Sequence, residues 1–406
     1  MNDVTLSGIK DKFLEFLTLK DSIVIDIVLG TVTANQFENA DPVNLYLIGP
    51  PSSAKTEILM SLQGNKHCYI TSSLTSHTFI SGFKDQAKGT QKKNEYSLLL
   101  RLQEQGKNIL VFKDFTTVLG LSKDNQTEII SQIREIVDGY FKKDLGNKPT
   151  VEWKGKLGFM MGVTPVIDRF HTIHSQLGER FLSYRMDIGD AEDWEKQSMR
   201  AFESCGVEAI IRPGVREMVT TFMEKFANPD INSIYFSKEI IQRMHYLAEF
   251  VGRGRAGISR DHYHNIECLP AIERTPRLIK QFKSILAGVA IIQGKSVINY
   301  GLLKIIRKIA RDSIPQHRDT IIKALWDGYY VASSQSGIGR SELADATGIP
   351  STTIGRYLED LQLIGVVERI RFVIPPNERF RLIHYFEEVV ARSEVYKDLG
   401  SDSYDD

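Results

Sequence analysis

The chain has 406 residues, 42% of them hydrophobic and 25% charged, with 51 basic and 51 acidic side chains. This length suits two or three domains with ample core. Its even charge excludes wholesale electrostatic attraction to nucleic acid or membrane, so any basic surface must be local. No apolar run approaches the roughly 20 residues that span a bilayer. Cys68, Cys205 and Cys268 are far apart and show no metal-ligand spacing. Few cysteines and no signal peptide predict structural thiols in a reducing cytoplasm.

In chain order, residues 5–20 predict an amphipathic helix with Ile9, Phe13, Phe16 and Leu17 on one side. A second apolar helix is expected over 22–36, and Asp41-Pro42 then breaks the chain. Residues 43–190 alternate short apolar strands with helical stretches, which predicts an α/β fold with a five-stranded parallel sheet. The candidate strands are 44–48, 68–71, 109–112, 157–163 and 181–186. Residues 191–312 read as helical, interrupted by Gly252-Arg253-Gly254-Arg255-Ala256-Gly257. After a Ser/Gly-rich linker at 333–339, residues 340–348 and 351–365 form a helix–turn–helix pattern. Two strands, over 366–374 and 379–383, complete a winged-helix pattern. The expected segments are therefore N-terminal helices (1–40), an α/β core (41–190), a helical region (191–312), a winged-helix domain (313–385), and a C-terminal helix with an acidic tail (386–406).

The apolar run Leu45-Tyr46-Leu47-Ile48 leads into Gly49-Pro50-Pro51-Ser52-Ser53-Ala54-Lys55-Thr56, and a helical segment follows. Strand, small-residue loop, Lys-Thr and helix form the arrangement that cradles a nucleotide triphosphate. Small residues let backbone N–H groups face the phosphates, and the helix N-terminus adds its positive end. Lys55 reaches the β- and γ-phosphates of ATP, and the Thr56 hydroxyl binds Mg²⁺. Ala54 stands where the general motif has Gly. Further on, Ile109-Leu110-Val111-Phe112-Lys113-Asp114 is an apolar strand running to a carboxylate, the second group expected to hold Mg²⁺. Phe115 occupies the place of a water-activating glutamate. Glu135 and Asp138 are the nearest other carboxylates, unless they are only a solvated helix end. Thr164 closes the apolar strand over 157–163, where a polar side chain senses the γ-phosphate or positions water. Arg180 precedes the last strand. It serves either as a finger into a neighbouring subunit's nucleotide or as half of an internal salt bridge. Arg277 lies in the first turn of a helix opened by Thr275-Pro276; it faces the γ-phosphate or is simply solvated.

Together these elements resemble the AAA+ ATPases, and among them the minichromosome-maintenance-type helicases, over about residues 20–385. That family has Ala-Lys-Ser where others have Gly-Lys-Ser, and here it is Ala54-Lys55-Thr56. Arg180-Phe181 resembles its arginine finger and Arg277 its lid arginine, and a C-terminal winged helix follows. Three features depart from the pattern. Residues 1–43 precede the first expected strand where that family carries a large N-terminal domain, Phe115 follows Asp114, and Thr164 stands for Asn. The chain is closer to short relatives carried by phages and mobile elements. The resemblance implies a DNA-acting, ATP-driven motor, helicase-like or translocating, assembled as a hexamer-like ring or a helical homo-oligomer.

Residues 140–154 predict a basic hairpin turning at Gly146-Asn147; by the resemblance Lys142, Lys143 and Lys148 grip a phosphate backbone, and otherwise they lie on a solvated surface hairpin. A second loop over 82–94 carries Lys84, Lys88, Lys92 and Lys93, and basic residues outnumber acidic ones between Arg253 and Lys283. In the winged helix, Thr352, Thr353 and Arg356 open the recognition helix, although such domains also dock proteins. Phe115 motivates an alternative: an ATP-gated oligomeric remodeller or switch that recruits a protein partner without separating strands. A third reading is an ATPase-controlled transcription regulator.

Overall fold

The computed structural model describes residues 3–79, 97–145, 148–171, 179–263, 265–331, 337–371 and 378–397. The expected loop over 82–94, the hairpin turn Gly146-Asn147, the junction at 375–377 and the tail over 401–406 lie outside the described residues. Helix α1 (Leu6–Leu14) is shorter than the 5–20 periodicity predicts. After it the chain turns so that Phe16 joins Phe13 in the core, ring centroids 6.4 Å apart. Asp21 then accepts from the Ile23 N–H and starts α2 (Ile23–Ala34), which is buried throughout.

There follow β1 (Asn44–Ile48), α3 (Lys55–Met60), β2 (Cys68–Thr71), α4 (Leu98–Glu104), β3 (Ile109–Phe112), α5 (Thr116–Leu119) and α6 (Lys123–Val137). Next come the hairpin β4 (Tyr140–Leu145) and β5 (Lys148–Lys154), then β6 (Gly158–Val163) and β7 (Phe181–Arg185). The five expected strands form one parallel sheet in the order β2-β3-β6-β1-β7. Strands β1, β3 and β6 are buried along their whole length. That is why they read as unbroken apolar runs rather than alternating ones. Rings of Tyr46, Phe112, Phe115, Phe159 and Phe181 pack together on the sheet, with Tyr46 stacked on Phe181 at 4.3 Å.

The helical stretch resolves into α7 (Ala191–Glu203), α8 (Glu208–Glu224), α9 (Lys238–Gly254), α10 (Thr275–Ile292) and α11 (Tyr300–Asp312). Then come α12 (Gln316–Val331), β8 (Ile338–Gly339), α13 (Arg340–Thr347), α14 (Ser351–Leu363), β9 (Val367–Arg371), β10 (Glu378–Leu382) and α15 (His384–Ser393). The chain divides into two compact units that interleave in sequence. One, Met1–Ile167 with Arg180–Tyr235 and Lys283–Val297, holds the five-stranded sheet together with α1, α2, α7 and α8. The other, Asp168–Glu179 with Phe236–Phe282 and Ile298–Asp406, is mostly helical and carries a three-stranded antiparallel sheet in the order β8-β10-β9. In that second unit α15 lies on α9, with Phe250 stacked on Phe386 at 5.8 Å. The hydroxyl of the half-buried Tyr396 donates to Asp319 at 2.9 Å. Among the described residues, no helix is long and apolar enough to cross a membrane.

Candidate functional site

The parallel register brings the ends of β3, β6 and β1 to one edge of the sheet. Phe112 pairs with Met161, and Val163 with Ile48. The residues that follow therefore meet there: Asp114 after β3, Thr164 after β6 and Gly49 after β1. Two backbone bonds fix this edge, from the Gly49 N–H to the Val163 carbonyl at 3.1 Å and from the Phe115 N–H to the Gly162 carbonyl at 2.7 Å. Gly162 allows the second approach, since a Cβ there would sit 2.6 Å from the Lys113 carbonyl oxygen. Gly49 allows the loop to fold over, since its Cβ would meet Ser53 Oγ at 2.5 Å and Met186 at 3.1 Å.

Within the loop, Pro50 and Pro51 carry no N–H and stiffen the entry. Backbone donors for an anion therefore come from Ser52 through Thr56. Ser52 and Ala54 both adopt the left-handed region, at φ 64° and 63°. This is the conformation that the usual glycine supplies without strain. Lys55 folds back over the loop, its Nζ donating to the Gly49 and Pro50 carbonyls at 2.6 Å each and to Ser53 Oγ at 3.1 Å. Burial lowers the pKa of Lys55, while the charge of Asp114 acts in the opposite direction. Helix α3 is only six residues long, so the loop N–H groups and Lys55, rather than a long helix dipole, dominate the electrostatics.

Asp114 and Thr56 are exposed. They offer a carboxylate and a hydroxyl, the hard oxygen donors that suit Mg²⁺. This donor set fits a Mg²⁺–nucleotide better than a metal held by protein alone. Among the described residues no group of three or more His, Cys, Asp or Glu side chains stands ready to hold a metal. Thr164 is tied to Thr116, a residue that motif reading passed over. Its N–H donates to Thr116 Oγ1 at 3.1 Å, and the two hydroxyls lie 3.3 Å apart. The signal was the hydroxyl pair Thr116-Thr117 directly after Asp114-Phe115.

Phe115 does not face this edge. It is fully buried, with its ring 5.6 Å from Tyr46 and 6.2 Å from Phe112. The chain turns after Asp114 and sends the next side chain beneath the sheet, so the position expected for a water-activating glutamate is a core position. Asp138 and Arg180 lie at the other edge. Arg180 precedes β7, and its carbonyl accepts from Asn44 at the start of β1. Its guanidinium makes a two-point pair with Asp138, both bonds 3.0 Å. Glu135 is exposed in the last turn of α6, beside Asp138. A five-residue strand is about 16 Å long, so Glu135, Asp138 and Arg180 do not share the edge that holds Lys55.

Arg277 belongs to the second unit. Its guanidinium grips Glu273 at 2.7 and 2.9 Å, and the buried Arg255 grips the same carboxylate at 2.7 and 3.1 Å. Burial works against charge on Glu273, but the two guanidiniums outweigh it and hold the carboxyl below its ordinary range. Arg260 pairs with Glu359 and Asp360, and Arg253 lies 3.6 Å from Glu249. Much of the basic excess between Arg253 and Lys283 is thus taken up internally.

On the hairpin, Phe141 and Trp153 are buried. Lys143 pairs with Glu128 of α6 at 2.7 Å, Lys142 is exposed, and Lys148 opens β5. Lys154 lies over the half-exposed Tyr140 ring at 5.4 Å. At the start of α14, Thr352 and Arg356 are exposed and Thr353 is half-buried. Arg356 shares a pocket of about 340 Å³ with Arg260, Asn265, Ile266 and Glu359.

No protein-family model matches the chain, and none of the curated proteins does. Among solved structures, one described as a "putative ATPase" from Cytophaga hutchinsonii aligns with 76% of this chain and 85% of its own. The identity is 12% and the TM-score 0.42, a likeness too remote to carry an argument about activity.

Proposed function

We propose that this chain is an AAA+-type ATP hydrolase acting on DNA as a homo-oligomer. The observation that carries the reading is the gathering of Lys55, Asp114 and the Thr116–Thr164 pair around the loop 49–56. Loop N–H groups and Lys55 hold the phosphates. Thr56 and Asp114 supply oxygen donors for Mg²⁺, which when bound offsets phosphate charge. Thr164, fixed by Thr116, orients water. Arg180 lies too far from its own loop to act there, so it serves the site of an adjacent subunit, exchanging Asp138 for phosphate oxygens. Residues 313–385 read as a winged helix presenting Thr352, Thr353 and Arg356, and the hairpin presents Lys142, Lys143 and Lys148 to a phosphate backbone.

Burial of Phe115 favours a second reading, an ATP-gated switch that turns over slowly and recruits a protein partner. An ATPase assay with and without single- and double-stranded DNA, on wild type and Lys55→Ala, separates these. The motor reading expects DNA-stimulated turnover that falls on the order of 100-fold in Lys55→Ala. Slow turnover without response to nucleic acid leaves the switch. Equal turnover in both proteins rejects nucleotide chemistry at this loop.

A further inference from the structure

Two side chains of the α7–α8 pair reach the phosphate loop and the first turn of α3 that follows it. Gln197 of α7 donates from Nε2 to the Ser52 carbonyl at 2.9 Å. Ser52 and Ala54 are both left-handed, a conformation that disfavours each by roughly 1–2 kcal/mol. A loop carrying two such residues within three positions needs support from its surroundings, and Gln197 bonds directly to the first of them. Arg212 of α8 makes a fork with Glu57, Nε to Oε2 and Nη2 to Oε1, both 2.9 Å, and also binds Glu208 at 2.7 Å. Glu57 lies two residues beyond Lys55, in the first turn of α3. An uncompensated carboxylate there repels a polyphosphate, and the guanidinium, shared with Glu208, offsets part of that charge. The pair is itself anchored: Arg200 of α7 donates to the Leu14 carbonyl at 2.6 Å, and Lys20 pairs with Asp193 at 3.2 Å. A capping box at Asp190 fixes the start of α7.

We propose that Gln197 and Arg212 are positioning residues of the nucleotide site, Gln197 holding the Ser52 turn and Arg212 holding Glu57 and offsetting its charge. This rests on the nucleotide reading above, so the test has one arm that needs no ligand. In nucleotide-free protein, Gln197→Met, which keeps length but cannot donate, is expected to speed amide exchange at residues 52–56 several-fold with an unchanged melting temperature. With fluorescent ADP, the same variant is expected to bind about 3–10-fold more weakly, the value of one hydrogen bond. Arg212→Ala is expected to weaken binding about 10-fold, and Glu57→Gln in that background to recover most of the loss. A merely structural role for Arg212 would not be rescued by removing a second charge. Unchanged exchange and affinity in Gln197→Met, or no rescue by Glu57→Gln, overturns the proposal for that residue. If wild type binds no nucleotide while Gln197→Met still loosens residues 52–56, the nucleotide reading falls and the positioning role of Gln197 stands.

Discussion

Ala54 sits at φ 63°, where an L-residue is strained and glycine is not. Ala54→Gly is therefore expected to raise stability by about 0.5–1 kcal/mol, the relief of strain exceeding the extra freedom of the unfolded chain. Urea unfolding of the two proteins measures it. Phe115 is the second decisive residue. Its identity was legible in sequence and its direction was not, because a strand-end pattern does not say where the chain turns. Phe115→Glu is expected to bury a carboxylate among Tyr46 and Phe112. The variant should lose about 3–5 kcal/mol of stability and gain no ATP turnover, read by thermal melting and phosphate release. Of the three thiols expected to be structural, Cys68 is buried with its pKa pushed up to about 12, whereas Cys205 and Cys268 are exposed.

At the scale of elements, all five sheet strands were legible to within a residue or two. They are short apolar runs bounded by breakers, most clearly in the fully buried β1, β3 and β6. The first helix was overestimated because apolar periodicity continues through Phe16 and Leu17 although the backbone has already turned. The connection from β5 to β6 hides a titrating group. Lys156 donates to the Phe37 carbonyl at 2.7 Å, and burial pulls its pKa down to about 8, against an opposing pull from Asp41. The folded pKa lies below the unfolded value of 10.5, so between them the unfolded chain binds more protons and stability rises with pH. Wild type should gain about 1–2 kcal/mol over Lys156→Met between pH 7 and pH 10. Urea midpoints of both proteins across that range check it.

At the scale of the whole molecule, the chain folds as two interleaved units, an arrangement that sequential segmentation does not express. Within the first unit, Arg180 and the loop 49–56 occupy opposite ends of the sheet. The proposed oligomer makes a definite prediction from this separation. Lys55→Ala and Arg180→Ala proteins, each inactive alone, should recover part of the ATPase activity when mixed. An intact loop on one subunit then meets an intact arginine on the next. Titrating one variant into the other and measuring phosphate release tests it, and no recovery at any ratio rejects action across subunits.

The sequence by itself determined the strands, the small-residue loop with its Lys55-Thr56 ending, and the carboxylate of Asp114. These are local patterns whose spacing is set by backbone geometry. Only the tertiary structure decided which side chains share an edge. It paired Arg180 with Asp138 and turned Phe115 into the core. It also brought Gln197 and Arg212, more than 140 positions along the chain, to Ser52 and Glu57. Such partners are chosen by packing and by the need of each buried or strained group for a complement, and no short-range pattern records that choice.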